Sequence, residues 1–331
     1  MSNLERDPSE LTCTARPEDG TGDTPRGRLL EPREVPLGGP RGMRVRRTLP
    51  QRSQPLIGAW CFADHFGPDD VSSSGGMQVA GHPHTGLQTV SWLFTGEVEH
   101  RDTAGTHALV RPGELNLMTA GSGIAHSEYS TPGTSVLHGA QLWVALPEAD
   151  RFTAPGFEHY APPVVALDDS GAQARVFLGS LAGSASPVKT FTPLLGAELT
   201  LPAGASVRLA VSPSFEHGVL VDTGEVTAAG CTAGPGHLIH REPGTDTLTL
   251  TASPSTDTRV LLLGGEPLGE QIMMWWNFIG RTHEEIVAFR EEWQSSREPS
   301  APVGRYGPFP TAWHETLPAP SLPTARLRLR G

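Results

Sequence analysis

Between residues 56 and 265 the chain alternates short apolar runs with turn-forming Gly, Pro and Asp. The runs read TVSWLF, GEVEHRD, ELNLMT and AQLWVAL, then ARVFLG, VRLAV, GVLVD, HLIH, TLTLTA and RVLLLGG. β-branched and aromatic residues in short runs between turn signals predict strands, and their close spacing predicts sandwich or barrel domains. The clear helical pattern comes near the end. Thr282-His283-Glu284-Glu285 reads as a capping box, in which the threonine hydroxyl and the second glutamate each satisfy an otherwise unpaired amide. Ile286, Phe289 and Trp293 then recur on one face, which predicts a helix packed down on a sheet. The expected fold class is all-β with a C-terminal helix.

The β-rich text contains a repeat. Thr95-Gly96-Glu97-Val98 follows the apolar run VSWLF, and Thr223-Gly224-Glu225-Val226 follows GVLVD, 128 residues later. Each is succeeded by a Pro-Gly turn, Pro112-Gly113 and Pro235-Gly236. The recurrence within a matching strand–turn–strand context predicts two copies of one β domain in tandem. Residues 1–40 are read as a mobile N-terminal arm, 41–170 as the first domain, 171–295 as the second with the terminal helix, and 296–331 as a Pro-rich extended tail. The run MRVRRTL at 43–49 is expected to be an edge strand whose arginines form a solvated face.

Composition narrows the function classes. Thirty-eight Gly and 31 Pro fit many turns and few helices. A net charge of −11 repels phosphate backbones and anionic membranes, which argues against direct nucleic-acid or membrane binding. Three widely separated cysteines (Cys13, Cys61 and Cys231) form neither a disulfide framework nor a thiolate metal site. The N-terminal stretch is polar and acidic, and no run approaches 18 apolar residues, so a cytoplasmic location is expected.

Candidate chemistry lies in GHPHTGLQTVSWLF, residues 81–94. In a strand, residues i and i+2 share a face and stand about 6.7 Å apart, so His82 and His84 look the same way, as do Gln88, Val90, Trp92 and Phe94. Pro83 stiffens the backbone between the two imidazoles. A second i,i+2 pair, His126 and Glu128, follows the glycine-rich turn Ala120-Gly121-Ser122-Gly123. Three neutral imidazoles and one carboxylate suit Fe(II), Cu(II), Mn(II), Ni(II) or Zn(II), and an octahedral ion would keep positions open for substrate and O2.

Gly76, five residues, His82-Pro83-His84, three residues and Gln88 resemble the first cupin motif, and Gly121-Ser122-Gly123-Ile124-Ala125-His126 resembles the second. More narrowly, FADHFGP, HPHTGLQTV, MTAGSGIAHSEY, GGEPLGE and MMWWNFIGRTHEEI together resemble the pirin family over most of residues 41–293. That resemblance implies two tandem cupin β-barrels, with one divalent metal, commonly iron as Fe(II), held by His82, His84, His126 and Glu128 in the N-terminal barrel. Gln88 departs from the usual Glu, which implies altered hydrogen bonding around the metal. Shifted along the repeat, the four ligand positions fall on Ala210, Ser212, Thr249 and Thr251, so the second barrel is expected to be metal-free.

The resemblance implies two accounts of function. One is a quercetin 2,3-dioxygenase-type enzyme that opens a flavonol or other polyphenol, with Glu128 as general base. The other is a non-enzymatic, redox-responsive iron protein that binds a protein partner. Trp275 and Trp276 are read as core or interdomain packing, and Cys61 as a buried apolar residue. His65, His100 and His138 are read as ordinary core or surface groups, with support of a metal site as the alternative. His217, His237 and His240 are read as structural.

Overall fold

The computed structural model describes residues 11–13, 27–37, 43–298, 300–323 and 327. Two β-barrels stand side by side, each a seven-stranded sheet facing a four-stranded one. In the first barrel the large sheet runs in spatial order Gly156–Tyr160, Leu115–Thr119, Leu87–Thr95, Val136–Ala145, Trp60–Asp70, Met43–Leu49 and Arg33–Leu37. Its small sheet is Gln78–His84, Ile124–Ser130, Val98–Asp102 and His107–Val110. All pairings are antiparallel, as hairpin-linked strands require.

The second barrel repeats this plan. Its small sheet orders Ser206–Ala210, Thr247–Ala252, Val226–Ala228 and Cys231–Ala233. Thr95 and Thr223 each close a strand, Val98 and Val226 each open the next, and each Pro-Gly turn precedes the following large-sheet strand. The tandem repeat read from these four residues is therefore structural. Its register is not the one expected, however. The inward-facing cross-strand pairs of the second barrel are Leu209 with Leu248 and Val207 with Leu250, while Thr249 is exposed and Ala210 and Ser212 lie off the interior. A slip of one residue exchanges the two faces of a strand. The positions that correspond to the candidate ligands are leucine and valine rather than threonine.

A single core crosses between the barrels. Trp60, Trp92, Leu115, Leu117 and Leu142 of the first pack with Phe177, Leu220, Leu261 and Leu263 of the second. Polar tips are satisfied across the seam: Trp92 Nε1 donates to Glu198 Oε2 at 2.7 Å, and Trp60 Nε1 to the carbonyls of Leu195 and Gly264 at 3.2 Å. Buried indoles need such partners.

Several expectations change. Residues 28–30 and 33–37, expected within a mobile arm, are strands: Arg28–Leu30 pairs with Leu238–Arg241 of the second barrel, and Arg33–Leu37 pairs with Met43–Leu49 of the first. Leu11–Cys13 pairs with Ile272–Trp275, and residues 1–10, 14–26 and 38–40 of the expected arm lie outside the described residues. Met43–Leu49 is consequently not the edge, and its arginines are not all solvated. Arg47 is buried in a bidentate pair with Asp64, at 2.7 Å on each arm. Val165–Ala166, placed in the first domain, pairs with Gln173–Leu178 of the second barrel.

The helix spans His283–Ser296 and buries Ile286, Phe289 and Trp293 as its periodicity required. Thr282 Oγ1 accepts from the Glu285 amide, and the Glu285 carboxylate reaches back to the backbone amides of Arg281 and of the cap residue Thr282. The helix and the tail to residue 322 form one apolar cluster with Trp275, Trp276, Phe278 and Ala125, a residue of the first barrel. The elements after 270 thus return to the first barrel. Among the described residues no helix is long and apolar enough to cross a membrane.

Candidate metal centre

His82 and His84 close the strand Gln78–His84, and His126 and Glu128 lie on its neighbour Ile124–Ser130, where His126 is directly opposite His82. The register shifts between His126 and Glu128, because the His82 strand carries one extra residue there. Such a bulge re-aims the side chains beside it. The three imidazoles meet between the two sheets: ring centroids are 4.3 Å apart for His82 and His126, 5.0 Å for His84 and His126, and 5.1 Å for His82 and His84. One ligand nitrogen from each lies within 4.8 Å of the others, and His100, His126 and Glu128 form a second such set. All four expected ligands are buried.

The nitrogens are arranged for a cation. His82 Nδ1 lies 2.9 Å from the Ala80 carbonyl, which assigns it the proton and leaves Nε2 as a lone pair; that Nε2 is buried and has no hydrogen-bond partner among the described residues. His84 Nε2 and His126 Nε2 face each other at 3.1 Å. A buried nitrogen with no partner costs free energy unless something occupies its lone pair. Burial pushes the His82 imidazole down to about 3, and burial with neighbouring imidazoles holds His84 and His126 well below the ordinary histidine range. All three are neutral at physiological pH, the state in which imidazole ligates. The donor set fits a divalent transition metal.

His100, read as ordinary core or surface, supports this set. His126 Nδ1 lies 3.3 Å from His100 Nδ1, and His100 Nε2 lies 3.1 Å from Asp102 Oδ2. Asp102 Oδ1 in turn accepts from the amides of Ala104 and Thr106, both at 2.9 Å. The Asp102 carboxylate accepts from His100 Nε2–H, so His100 Nδ1 is left to accept from His126 Nδ1–H. That leaves the His126 Nε2 lone pair aimed into the site, the usual way a second residue sets a ligand's tautomer. The sequence signal was present, since His100 and Asp102 are themselves an i,i+2 pair one hairpin away.

Other expectations resolve differently. Gln88 does not share the site's face. It donates to Thr119 Oγ1 at 2.9 Å, while Val90 and Trp92 of the same face pack toward the second barrel. The inward positions of that strand include Ser91, whose hydroxyl lies 3.3 Å from Glu128 Oε1 and 2.9 Å from Gln141 Oε1. Trp143 stands edge-on to His84 at 5.1 Å. His65 and His138 lie instead at the barrel seam, both with Nε2 against Asp222 Oδ1, at 2.6 and 2.5 Å. Trp275 and Trp276 are buried packing residues, and Cys61 is buried, as read. His217 and His240 are buried in the second barrel away from these groups.

Two barrels in tandem, with clustered imidazoles in the first and an aliphatic interior in the second, define a bicupin. The Pirin family model matches residues 42–144, and the model for the Pirin C-terminal cupin domain matches residues 196–299. The chain is 40% identical over 291 residues to the Pseudomonas aeruginosa protein named "Putative quercetin 2,3-dioxygenase PA1205", covering 88% of this chain and 89% of that one. It is 32% identical over 275 residues to a pirin-like protein of Caulobacter vibrioides, covering 80% and 94%. The crystal structure of a quercetin 2,3-dioxygenase from Acinetobacter baumannii superposes with a TM-score of 0.83 at 35% identity, covering 91% of this chain and 97% of that one. The chain belongs to the pirin family.

Proposed function

We propose that this pirin is a metal-dependent dioxygenase of the quercetin 2,3-dioxygenase type, acting on a flavonol or related polyphenol. His82, His84, His126 and Glu128 are its metal ligands, with Fe(II) the first choice and Cu, Mn, Ni or Zn compatible with the same donors. The observation that carries the reading is the convergence of three neutral, buried imidazoles with one partnerless inward nitrogen, in a chain similar to one protein named "Putative quercetin 2,3-dioxygenase PA1205" and to a crystal structure of a quercetin 2,3-dioxygenase. A bound divalent metal would supply Lewis acidity, and iron or copper would supply one-electron redox chemistry as well. The protein's part is to hold the imidazoles neutral through burial and to fix the tautomer of His126 through His100 and Asp102. Glu128 is the carboxylate able to take a phenolic proton, with its Oε1 steadied by the Ser91 hydroxyl.

The test is flavonol-dependent O2 uptake by protein loaded separately with Fe, Cu, Mn or Ni, with Glu128→Ala as control. Uptake by the loaded protein and its loss in the variant are expected. No uptake with any metal ends the enzymatic reading. The burial of all four side chains favours a second reading, a redox-responsive iron protein that acts through a protein partner. Its signature is a partner recovered from native cells only in one iron oxidation state, and equal recovery with and without metal counts against it.

A further inference from the structure

The strand pair that carries the candidate ligands has an outward face as well as an inward one. Gly81, Pro83, Thr85 and Ala125 alternate with the histidines and point away from the site. This outward face is covered by chain beyond residue 299, outside the segments that match the family models. Leu317 N donates to the Gly81 carbonyl at 2.8 Å, and Thr316 bridges Gly81 in parallel. The Trp313 ring lies so close to Gly81 that a β-carbon there would stand 2.5 Å from it. Tyr306 is fully buried, with its hydroxyl 3.2 Å from Thr85 Oγ1 and donating to the Phe289 carbonyl at 3.1 Å. Arg305 donates to the Ser122 carbonyl at 2.6 Å, in the turn that leads to His126.

Each of these ties falls beside a candidate ligand or on the turn before one. Gly81 precedes His82, Thr85 follows His84, and Ser122 opens the approach to His126. The strap is itself anchored on its far side, where Trp293 Nε1 donates to the Leu317 carbonyl at 2.9 Å. A metal site needs its donor atoms held within about half an ångström of their working geometry, by surroundings that are themselves locked. Gln78–His84 is the edge strand of its four-stranded sheet, hydrogen-bonded on one side only, so it flexes unless the helix and the tail clamp it from behind.

We infer that the C-terminal segment 305–317 is a positioning strap for the metal centre, with Tyr306 and Trp313 as its positioning residues. The inference rests on the metal-centre reading above. It assigns these residues no contact with metal or substrate; they act through the backbone of residues 81–85. Losing them lowers metal affinity more than it lowers the stability of the metal-free fold.

The experiment uses the full chain with Trp313→Ala, Tyr306→Phe, the conservative Trp313→Phe, and Gln294→Ala as a control that loosens only the chain beyond the strap, where the Ala319 amide donates to Gln294 Oε1 at 2.8 Å. Nickel(II) affinity is measured by chelator competition, thermal unfolding on metal-free protein, and hydrogen exchange over residues 78–85 on the same samples. Trp313→Ala and Tyr306→Phe are expected to bind nickel at least about tenfold more weakly and to exchange faster over 78–85. Trp313→Phe should recover most of both, and Gln294→Ala should match wild type. Unchanged nickel affinity in a folded Trp313→Ala overturns the strap, as does an equal loss in Gln294→Ala, which would mean general loosening. If wild type takes up no nickel, the metal-centre reading fails by itself. Exchange over 78–85 then decides the strap: faster exchange confined to that segment keeps it, and unchanged exchange removes it.

Discussion

The relay behind His126 makes a prediction in which the cost falls on one state of the protein. In His100→Leu the acceptor for His126 Nδ1–H is gone, while Asp102 keeps its two backbone amides. The metal-free protein can escape the loss, because His126 can move its proton to Nε2 and donate to His84 Nε2, 3.1 Å away. The metal-bound protein cannot, since Nε2 must then be bare and Nδ1–H stays buried without an acceptor. An orphaned buried donor costs about 1–3 kcal/mol, and losses of about 10–100-fold in metal affinity are usual for removal of such a supporting group. We therefore expect nickel or ferrous affinity, measured by chelator competition under anaerobic conditions, to fall by roughly 10–100-fold. Metal-free thermal unfolding should shift far less. A folded variant that binds metal within about twofold of wild type would refute the tautomer relay.

Three further outcomes are expected. His217 is buried in the second barrel on the face of Val219 and Val221, neither ring nitrogen has a hydrogen-bond partner among the described residues, and burial pushes its pKa down to about 4. The unfolded chain takes up its proton near pH 6.5 and the folded one only near 4, so about 2 kcal/mol of stability is lost between pH 8 and pH 5. His217→Leu should flatten that part of a denaturant-midpoint profile against pH, and an unaltered slope would contradict the assignment. Asp222 binds His65 and His138 through Oδ1 and Arg259 through Oδ2, and against burial the two histidines hold its carboxyl well below the usual range. Asp222→Asn should cost about 3 kcal/mol at pH 7 in chemical unfolding. The deficit should shrink in acid, because a depressed carboxylate stabilises above its unfolded pKa and stops doing so as pH falls through its folded value; a neutral effect at pH 7 would contradict this. Finally, nickel at a hundred times its dissociation constant should stabilise wild type by about 2.7 kcal/mol, reversibly with EDTA, and His84→Ala should abolish the gain. Persistence of the gain in His84→Ala would place the ion elsewhere.

What was legible before folding was local. Turn residues between β-prone runs marked most of the strands, and the two Thr-Gly-Glu-Val turns marked the tandem repeat. Thr282 and the spacing of Ile286, Phe289 and Trp293 marked the helix, and the i,i+2 spacing of His82 and His84, and of His126 and Glu128, marked side chains of one face. All of these depend on neighbours within a few residues along the chain.

Which face points where was decided only by tertiary packing. Strand Leu87–Thr95 is buried on both sides, between its own barrel's interior and the second barrel, so no polar alternation separates the face of Ser91 from that of Gln88. In the second barrel the strands Ser206–Ala210 and Thr247–Ala252 do alternate polar and apolar residues, and the repeat falls one residue out of register there because offsets counted from the turns do not follow that alternation. Arg28–Leu30 crossing to the second barrel, and the tail returning to clamp Gly81 and Thr85, join residues more than 200 apart in the chain. Periodicity reports the spacing of side chains along a strand, but the partner that buries each face comes from elsewhere in the chain, and only the packed structure brings the two together.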